Sequence, residues 1–217
     1  CDTCRNMGYS EIRLDIRYLL GARMDHAIDS QQPFTLQTVA RIINSCGFSR
    51  VRILDVHSEV ATRLIRNSKN ILPYKIVEQV FSTLGDVLPV RPDRGAEDRV
   101  MRLITGFPRG GPFIRCTKQR DPATGQLSRF EIDNHPSTGG WDCLIIDDIC
   151  DGGNTFVGLA KELRKAGAKK VFLYVTHAIF SKGIPLDGID HIYTTDSYCD
   201  RLMSTYHTSI PIFMKEI

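Results

Sequence analysis

The stretch LIIDDICDGGNT, residues 144–155, sets two kinds of chemistry side by side. Asp147, Asp148 and Asp151 are carboxylates that can accept hydrogen bonds from sugar hydroxyls or help hold a magnesium ion. Gly152 and Gly153 then let the backbone approach a ligand closely, and a helical pattern opens at about Thr155. The first amides of a helix lack partners of their own and its dipole favours an anion, so residues 151–155 suit a monophosphate. Asn154 and Thr155 complete the loop, and Thr155 adds a hydroxyl donor. The neighbouring carboxylates would repel a bare phosphate, whereas a phosphosugar with free hydroxyls satisfies both halves. If Asp151 only capped the helix, one carboxylate would be explained and two would not. The loop is not a nucleotide fingerprint of either common kind, since no G-x-x-x-x-G-K is present and no G-x-G-x-x-G follows a strand.

The elements that must position this loop follow from periodicity. Alternating Ile12, Leu14 and Ile16 predict a strand, and RVRILDVH predicts a second. VLPVRPD ends a third, and FIRCTKQR and QLSRFEI around the turn DPATG predict a β-hairpin flap. CLIID is almost continuously apolar, as a parallel strand buried on both faces should be. KKVFLYVTH is the next strand, and HIYTTD and IPIFM read as short closing strands. Helical patterns occupy residues 59–67, 76–84, 96–104 and 156–166, and Thr35 is expected to cap a further helix that stops at Gly47. Alternation of strand and helix gives the class α/β with a mostly parallel sheet. A break near SKNILPY, around residue 70, divides the chain into 1–70 and 71–217.

In such sheets ligands bind beyond the carboxyl ends of the strands. Charged groups collect there: Arg23, Asp25 and His26, then Asp55 and His57, then Asp93, then Lys118 and Arg120, then the carboxylates at 147, 148 and 151. Lys118 and Arg120 lie two apart on a strand and so share a face. On a closing hairpin they could neutralise phosphate charge, although charges are also ordinary on an exposed hairpin edge.

Composition excludes several classes. With 217 residues, 42% hydrophobic and 24% charged, the chain has the balance of a soluble globular protein. A net charge of +3 gives no footprint for nucleic acid or a membrane surface, and no apolar run approaches the roughly 20 residues of a membrane span. The start carries no signal-peptide pattern, so a cytoplasmic protein is expected. Seven cysteines at irregular spacing make no disulfide framework, and Cys1 and Cys4 have no second pair with zinc-site spacing. The chain starts without Met, so its natural N-terminus is expected to lie elsewhere.

IIDDICDGGNT resembles the phosphoribosyl-diphosphate motif shared by type I phosphoribosyltransferases and ribose-phosphate diphosphokinases. RYLLGARMDH, LDVHS, VRPDRGA, CTKQR and VTHAIFS resemble, in that order, further segments of the diphosphokinases, also called phosphoribosyl-pyrophosphate synthetases. The resemblance implies two phosphoribosyltransferase-type units, the N-terminal one (1–70) incomplete and on the ATP side, the C-terminal one (71–217) on the ribose 5-phosphate side. It implies transfer of the β,γ-diphosphate of ATP to the anomeric hydroxyl of ribose 5-phosphate, with AMP leaving and Mg2+ as cofactor. Arg23, Met24, Asp25 and His57 then fall on the ATP site, and His57 and Asp93 on magnesium. Lys118 and Arg120 become catalytic, Arg120 also touching ribose 5-phosphate. Asp147 and Asp148 address the ribose hydroxyls and metal, and Asp151, Gly152, Gly153, Asn154 and Thr155 hold the 5-phosphate. A homo-oligomer, dimer or hexamer, is implied.

This sequence departs from the pattern at Met24, where Gln is usual, and at His26, where the family has a second arginine. In the loop, Gly152 replaces a threonine and Asn154 a glycine, and Asn tolerates left-handed torsions better than most residues. Two alternatives stay open: a type I phosphoribosyltransferase that joins phosphoribosyl diphosphate to a base, and a non-catalytic subunit that associates with an active synthetase.

Overall fold

The computed structural model of the protein describes residues 1–27, 33–104, 113–120, 127–134, 139–198, 205–212 and 214, leaving aside the side chains of 118–120 and 127–129. The chain divides into two compact units, Cys1–Pro73 with Phe213–Ile217, and Tyr74–Ile212.

The first unit runs α1 (Asp2–Asn6), β1 (Arg13–Ile16), α2 (Thr35–Ser45), β2 (Arg50–Leu54), α3 (Val60–Leu64) and β3 (Ser68–Ile71). Its three strands pair in parallel in the order β1-β2-β3. Leu36 and Ala40 of α2 pack on Val51 and Ile53 of β2 and on Ile65. Thr35 is the first helical residue and not the cap, which is Phe34 without a side-chain hydrogen bond. Gly47 ends the helix with φ +60°, a left-handed torsion that favours glycine. SKNI, where the sequence suggested a break, is the strand β3. It pairs with β2 from Ser68 to Ile71, which no local pattern of four mixed residues announces.

The second unit runs α4 (Tyr74–Leu84), β4 (Leu88–Arg91), a 3-10 turn (Arg94–Ala96), α5 (Glu97–Ile104), β5 (Ile114–Arg120), β6 (Leu127–Ile132), β7 (Trp141–Cys150), α6 (Asn154–Lys165), β8 (Ala168–Ala178), β9 (His191–Thr195) and β10 (His207–Ile210). The sheet order is β10-β9-β8-β7-β4-β5-β6. Every pair is parallel except the hairpin β5–β6. The fold is therefore α/β with mostly parallel sheets, as expected from the alternation. The core gathers Val90, Ile114, Ile145, Val171 and Leu173 from the sheet under Phe156, Leu159 and Leu163 of α6. The closing strand is His207–Ile210, earlier than IPIFM, because it pairs with β9 from His207↔Ile192 to Ile210↔Thr195.

Candidate functional site

The order of the sheet fixes where a ligand fits. From β4 the chain steps outward to β5, whereas β7 returns to the other side of β4 and the chain then steps outward to β8, β9 and β10. The direction reverses between β4 and β7, and the crevice beyond the carboxyl ends at such a reversal is the usual binding place in an open α/β sheet. Asp93 follows β4 there, and Asp147 and Asp148 lie on β7. The sequence pattern CLIID ends the central strand at Asp147. The ladder instead continues past it, with Asp147 opposite Val175, Ile149 opposite His177 and Cys150 opposite Ala178.

Asp148 is buried and Asp147 half-buried. Burial raises the Asp147 carboxyl well above the ordinary carboxylate range, and the charges of Asp148 and Asp93 push the same way. The charge of Arg99 opposes them. Arg99 Nη2 donates to the Asp147 carbonyl at 3.0 Å and lies 3.4 Å from Thr176 Oγ1. Asp93 also caps the 3-10 turn, accepting from the Ala96 amide at 3.1 Å. Asp147 thus feels two neighbouring carboxylates, Asp148 and Asp93, and one guanidinium, Arg99.

Residues 151–153 join β7 to α6, whose first two residues are Asn154 and Thr155. The helix N-cap is Gly153, at φ +74°, and it has no side chain to satisfy the first amides. Glycine is required here twice over. The torsion is left-handed, and a Cβ would fall 2.4 Å from Leu186 Cδ2. Gly152 is half-buried, Asn154 exposed and Thr155 half-buried. The loop thus presents backbone amides at the positive end of a helix dipole, an arrangement that fits an anion.

The hairpin β5–β6 carries Lys118 and Arg120 on its backbone, opposite Phe130 and Leu127. Their side chains, and the turn DPATG, lie outside the described residues. The base of the hairpin is described and is fixed firmly. Phe130 packs so closely on α6 that a Cβ at Gly158 would lie 2.8 Å from its ring. The buried Arg91 pairs with Glu97 and stands 3.8 Å from Asp133, while Thr117 Oγ1 meets Asp133 Oδ2 at 3.1 Å. Asn134 accepts from the Arg115 amide and donates to the Phe113 carbonyl, both at 2.8 Å. Burial raises the Cys116 thiol to about 12, with the charge of Asp133 adding to the rise, so this cysteine stays protonated and packs as an apolar group.

In the first unit, Arg23 and Met24 are exposed and Asp25 is half-buried. Burial alone would raise the Asp25 carboxyl, but the neighbouring Ser58 hydroxyl and His26 outweigh it and hold it below the ordinary value. The His26 Nδ1 lies 2.6 Å from Asp25 Oδ1. The contact with Ser58 brings the loop of Arg23, Met24 and Asp25 to the segment of His57, which is itself exposed. Asp55 is fully buried with φ +46°, an uncommon torsion for a residue other than glycine, and such strain gathers at functional segments.

Residues 74–200 match the phosphoribosyl transferase domain family, more than half of the chain. The chain belongs to that family. Within it, the chain is a divergent relative of the phosphoribosyl pyrophosphate synthetases. The ribose-phosphate pyrophosphokinase of Thermococcus kodakarensis is 29% identical over 187 residues, covering 84% of this chain and 64% of that protein. The protein of the same name from Vibrio cholerae is 30% identical over 204 residues, covering 90% of this chain and 64% of that one. The chain thus spans a little under two thirds of the length of these curated relatives. A solved phosphoribosylpyrophosphate synthetase from Mycobacterium smegmatis superposes with a TM-score of 0.79 at 19% identity, covering 97% of this chain and 70% of that one, and so shares the fold.

The phosphoribosyl transferase unit holds groups that the motifs did not disclose. Arg99 sits in α5 amid an ordinary amphipathic pattern, so nothing in EDRVMRLI marks it as the cation under Asp147. Thr176, fully buried, reaches the same place from β8. Cys1 precedes α1 as its N-cap and Cys4 lies in it, both as free thiols, and among the described residues no group of three or more His, Cys, Asp or Glu forms a ready metal cage. Magnesium does not require one, because one or two carboxylates and the substrate phosphates supply its usual ligands. Burial raises Asp147 most, and the repulsion from Asp148 and Asp93 that adds to it is the kind of charge excess that a divalent cation relieves. No helix of the described residues is long and apolar enough to cross a membrane.

Proposed function

We propose that this chain is the catalytic part of a ribose-phosphate diphosphokinase, making phosphoribosyl diphosphate and AMP from ATP and ribose 5-phosphate. One observation carries the reading. The carboxylates on β7 lead directly into a side-chain-free helix N-terminus, at the reversal point of the sheet. That juxtaposition suits a sugar bearing both hydroxyls and a phosphate. The names of the relatives that match most of the chain supply the donor.

On this reading the anomeric oxygen attacks the β-phosphorus of ATP, the α,β-bridging P–O bond breaks, AMP departs with the electron pair, and the hydroxyl proton passes to solvent. Asp147 and Asp148 hold the ribose hydroxyls by accepting their hydrogen bonds. The amides of residues 151–155 and the Thr155 hydroxyl hold the 5-phosphate. Together they fix the nucleophile, which is where most of the catalysis of phosphoryl transfer resides. Lys118 and Arg120 neutralise charge gathering on the transferred group. Arg23, Met24, Asp25 and His57 serve ATP. Asp93 and His57 are assigned to magnesium, which when bound supplies charge neutralisation on the phosphates. The protein works in the cytoplasm, as a homo-oligomer, and its product feeds nucleotide or NAD synthesis.

The family match itself favours a second reading, a transferase that consumes phosphoribosyl diphosphate and a base, because the match covers the sugar-phosphate unit alone. Incubation with magnesium, ATP and ribose 5-phosphate separates the two. AMP and phosphoribosyl diphosphate formed in equal amounts are expected, with a loss of about 10²- to 10³-fold in kcat for Lys118→Ala. If folded protein forms no AMP but consumes phosphoribosyl diphosphate with a base, the second reading replaces the first.

A further inference from the structure

The phosphate loop has a side chain lying across it that belongs to neither the strand nor the helix it joins. Gly152 exposes bare backbone, and a Cβ placed there would sit 3.4 Å from both Cδ and Cε of Lys182. The aliphatic stem of Lys182 therefore passes at van der Waals distance from the place a Cβ on Gly152 would take. Lys182 itself is exposed to solvent.

The position is held from below. The amides of Ile179 and Phe180 both donate to the carbonyl of Cys150, at 2.8 and 3.1 Å. Cys150 is the last residue of β7 and directly precedes the loop. The Gly183 amide closes the turn on the Phe180 carbonyl at 2.8 Å. Phe180 is buried, at φ +45°, a torsion that a bulky residue keeps only where its surroundings impose it. Further along the same segment, Leu186 seats against Gly153. The segment after β8 is thus laid along the loop at two adjacent glycines, by a lysine stem at one and a leucine at the other.

Electrostatics gives the lysine a task. A phosphate at residues 151–155 meets Asp151 at the loop and the repelling pair Asp147–Asp148 just before it. Helix amides supply partial charges, and no other loop residue between 151 and 155 is cationic. A full positive charge is needed to offset that field, and a lysine is a compact donor well suited to phosphate oxygens. We propose that Lys182 is the side-chain cation of the phosphate loop, reaching over Gly152 to bind the monophosphate of the sugar substrate. A Cβ at 152 would only touch the lysine stem, and a side chain reaching beyond it toward the stem would meet it. The assignment rests on residues 151–155 being the sugar-phosphate subsite.

The test is calorimetric titration of the full chain with ribose 5-phosphate, inorganic phosphate and unphosphorylated ribose. The variants are Lys182→Met, which keeps a stem and removes the charge, Lys182→Arg, and Lys182→Ala with and without Gly152→Thr. Lys182→Met should weaken ribose 5-phosphate and inorganic phosphate by about 10- to 100-fold, the worth of a charged hydrogen bond, and leave ribose unchanged. Lys182→Arg should bind nearly as the parent. Gly152→Thr placed on Lys182→Ala should recover part of the loss, because the vacated space admits a hydroxyl donor. Parent and Lys182→Met binding ribose 5-phosphate equally well would overturn the role of Lys182 and leave the subsite reading intact. A parent chain that binds neither ribose 5-phosphate nor phosphate would overturn both.

Discussion

The central strand of the second unit and the edge strand of the first are built to opposite specifications. β7 is buried from Cys143 to Cys150, with Asp147 alone half-exposed, and has paired neighbours on both sides. β1 alternates exposed and half-buried residues, buries none fully, and is paired on one side only. Carboxylates placed on the first kind of strand are desolvated and made to interact, which is how Asp147 comes to be raised. Charges on the second kind stay in water and are screened. The sugar side of the proposed chemistry therefore sits on the rigid, dry framework. Arg23, Met24 and His57 of the first unit are exposed instead.

If that contrast is right, the largest loss of stability should come from the ion pairs at the hairpin base. Glu97→Ala leaves the nearly buried Arg91 with Asp133 alone, at 3.8 Å. Removing one partner of a buried pair commonly costs about 3 kcal/mol or more, whereas Arg91→Met, which removes the buried charge itself, should cost far less. Chemical denaturation of both variants checks the difference, and equal losses would show that packing and not charge governs the hairpin base. Next in size is Gly153→Val. Its torsion of +74° and the 2.4 Å approach to Leu186 should together cost about 2 kcal/mol and weaken ribose 5-phosphate binding, whereas Gly140→Ala, with open space around its Cβ, should cost only its torsional strain. Thermal melts with and without ribose 5-phosphate separate the two effects.

The site was legible in the sequence where chemistry and secondary structure share the same residues. DDICDGGNT carries its carboxylates, its glycines and its helix start in one uninterrupted run, and the structure arranges them in that order. What sequence reasoning missed is set by partners distant along the chain. β7 extends through its acids to Cys150 because β8 pairs with it that far, and a ladder's register is not written in either strand alone. Arg99 reaches Asp147 across 48 residues, and Lys182 reaches Gly152 from a turn whose own sequence, SKGIP, reads as punctuation. The strand SKNI is recognisable only once β2 stands beside it.

Asp147 sharpens the comparison in the opposite sense, because a strained functional group should be replaceable with a gain in stability. Its folded-state carboxyl is raised, so between the ordinary carboxylate value and the folded one the native state binds the proton more tightly than the unfolded chain does. Stability therefore falls as pH rises through that window, so the carboxyl is a burden above it. Asp147→Asn removes that carboxyl. In EDTA at pH 7 the variant is expected to melt a few degrees higher, a shift of roughly 2–4 °C for each kcal/mol in a chain of this size, while AMP formation falls. An unchanged or lower melting temperature would mean that Arg99 already neutralises the carboxylate in the folded protein.

The smallest effect belongs to the edge strand. Arg52 Nε and Nη2 donate to the two carboxylate oxygens of Asp15 at 2.8 and 2.6 Å, tying β1 to β2. Those bonds hold the Asp15 carboxyl below its ordinary value, against a smaller opposing effect of burial and with the charge of Arg52 adding to them. A lowered folded value contributes stability that is present above the ordinary carboxylate range and is lost as pH falls through the folded one. The side chains are 24% and 40% exposed, so the pair is screened, and Asp15→Asn should cost less than about 1 kcal/mol. Its cost should shrink further in molar salt and vanish in acid, whereas the cost of Glu97→Ala should keep most of its size in salt. Denaturation of both variants at low and high ionic strength makes the measurement. Equal salt sensitivity would erase the distinction between a wet edge and a dry framework, and with it the reason for placing the sugar chemistry on β7.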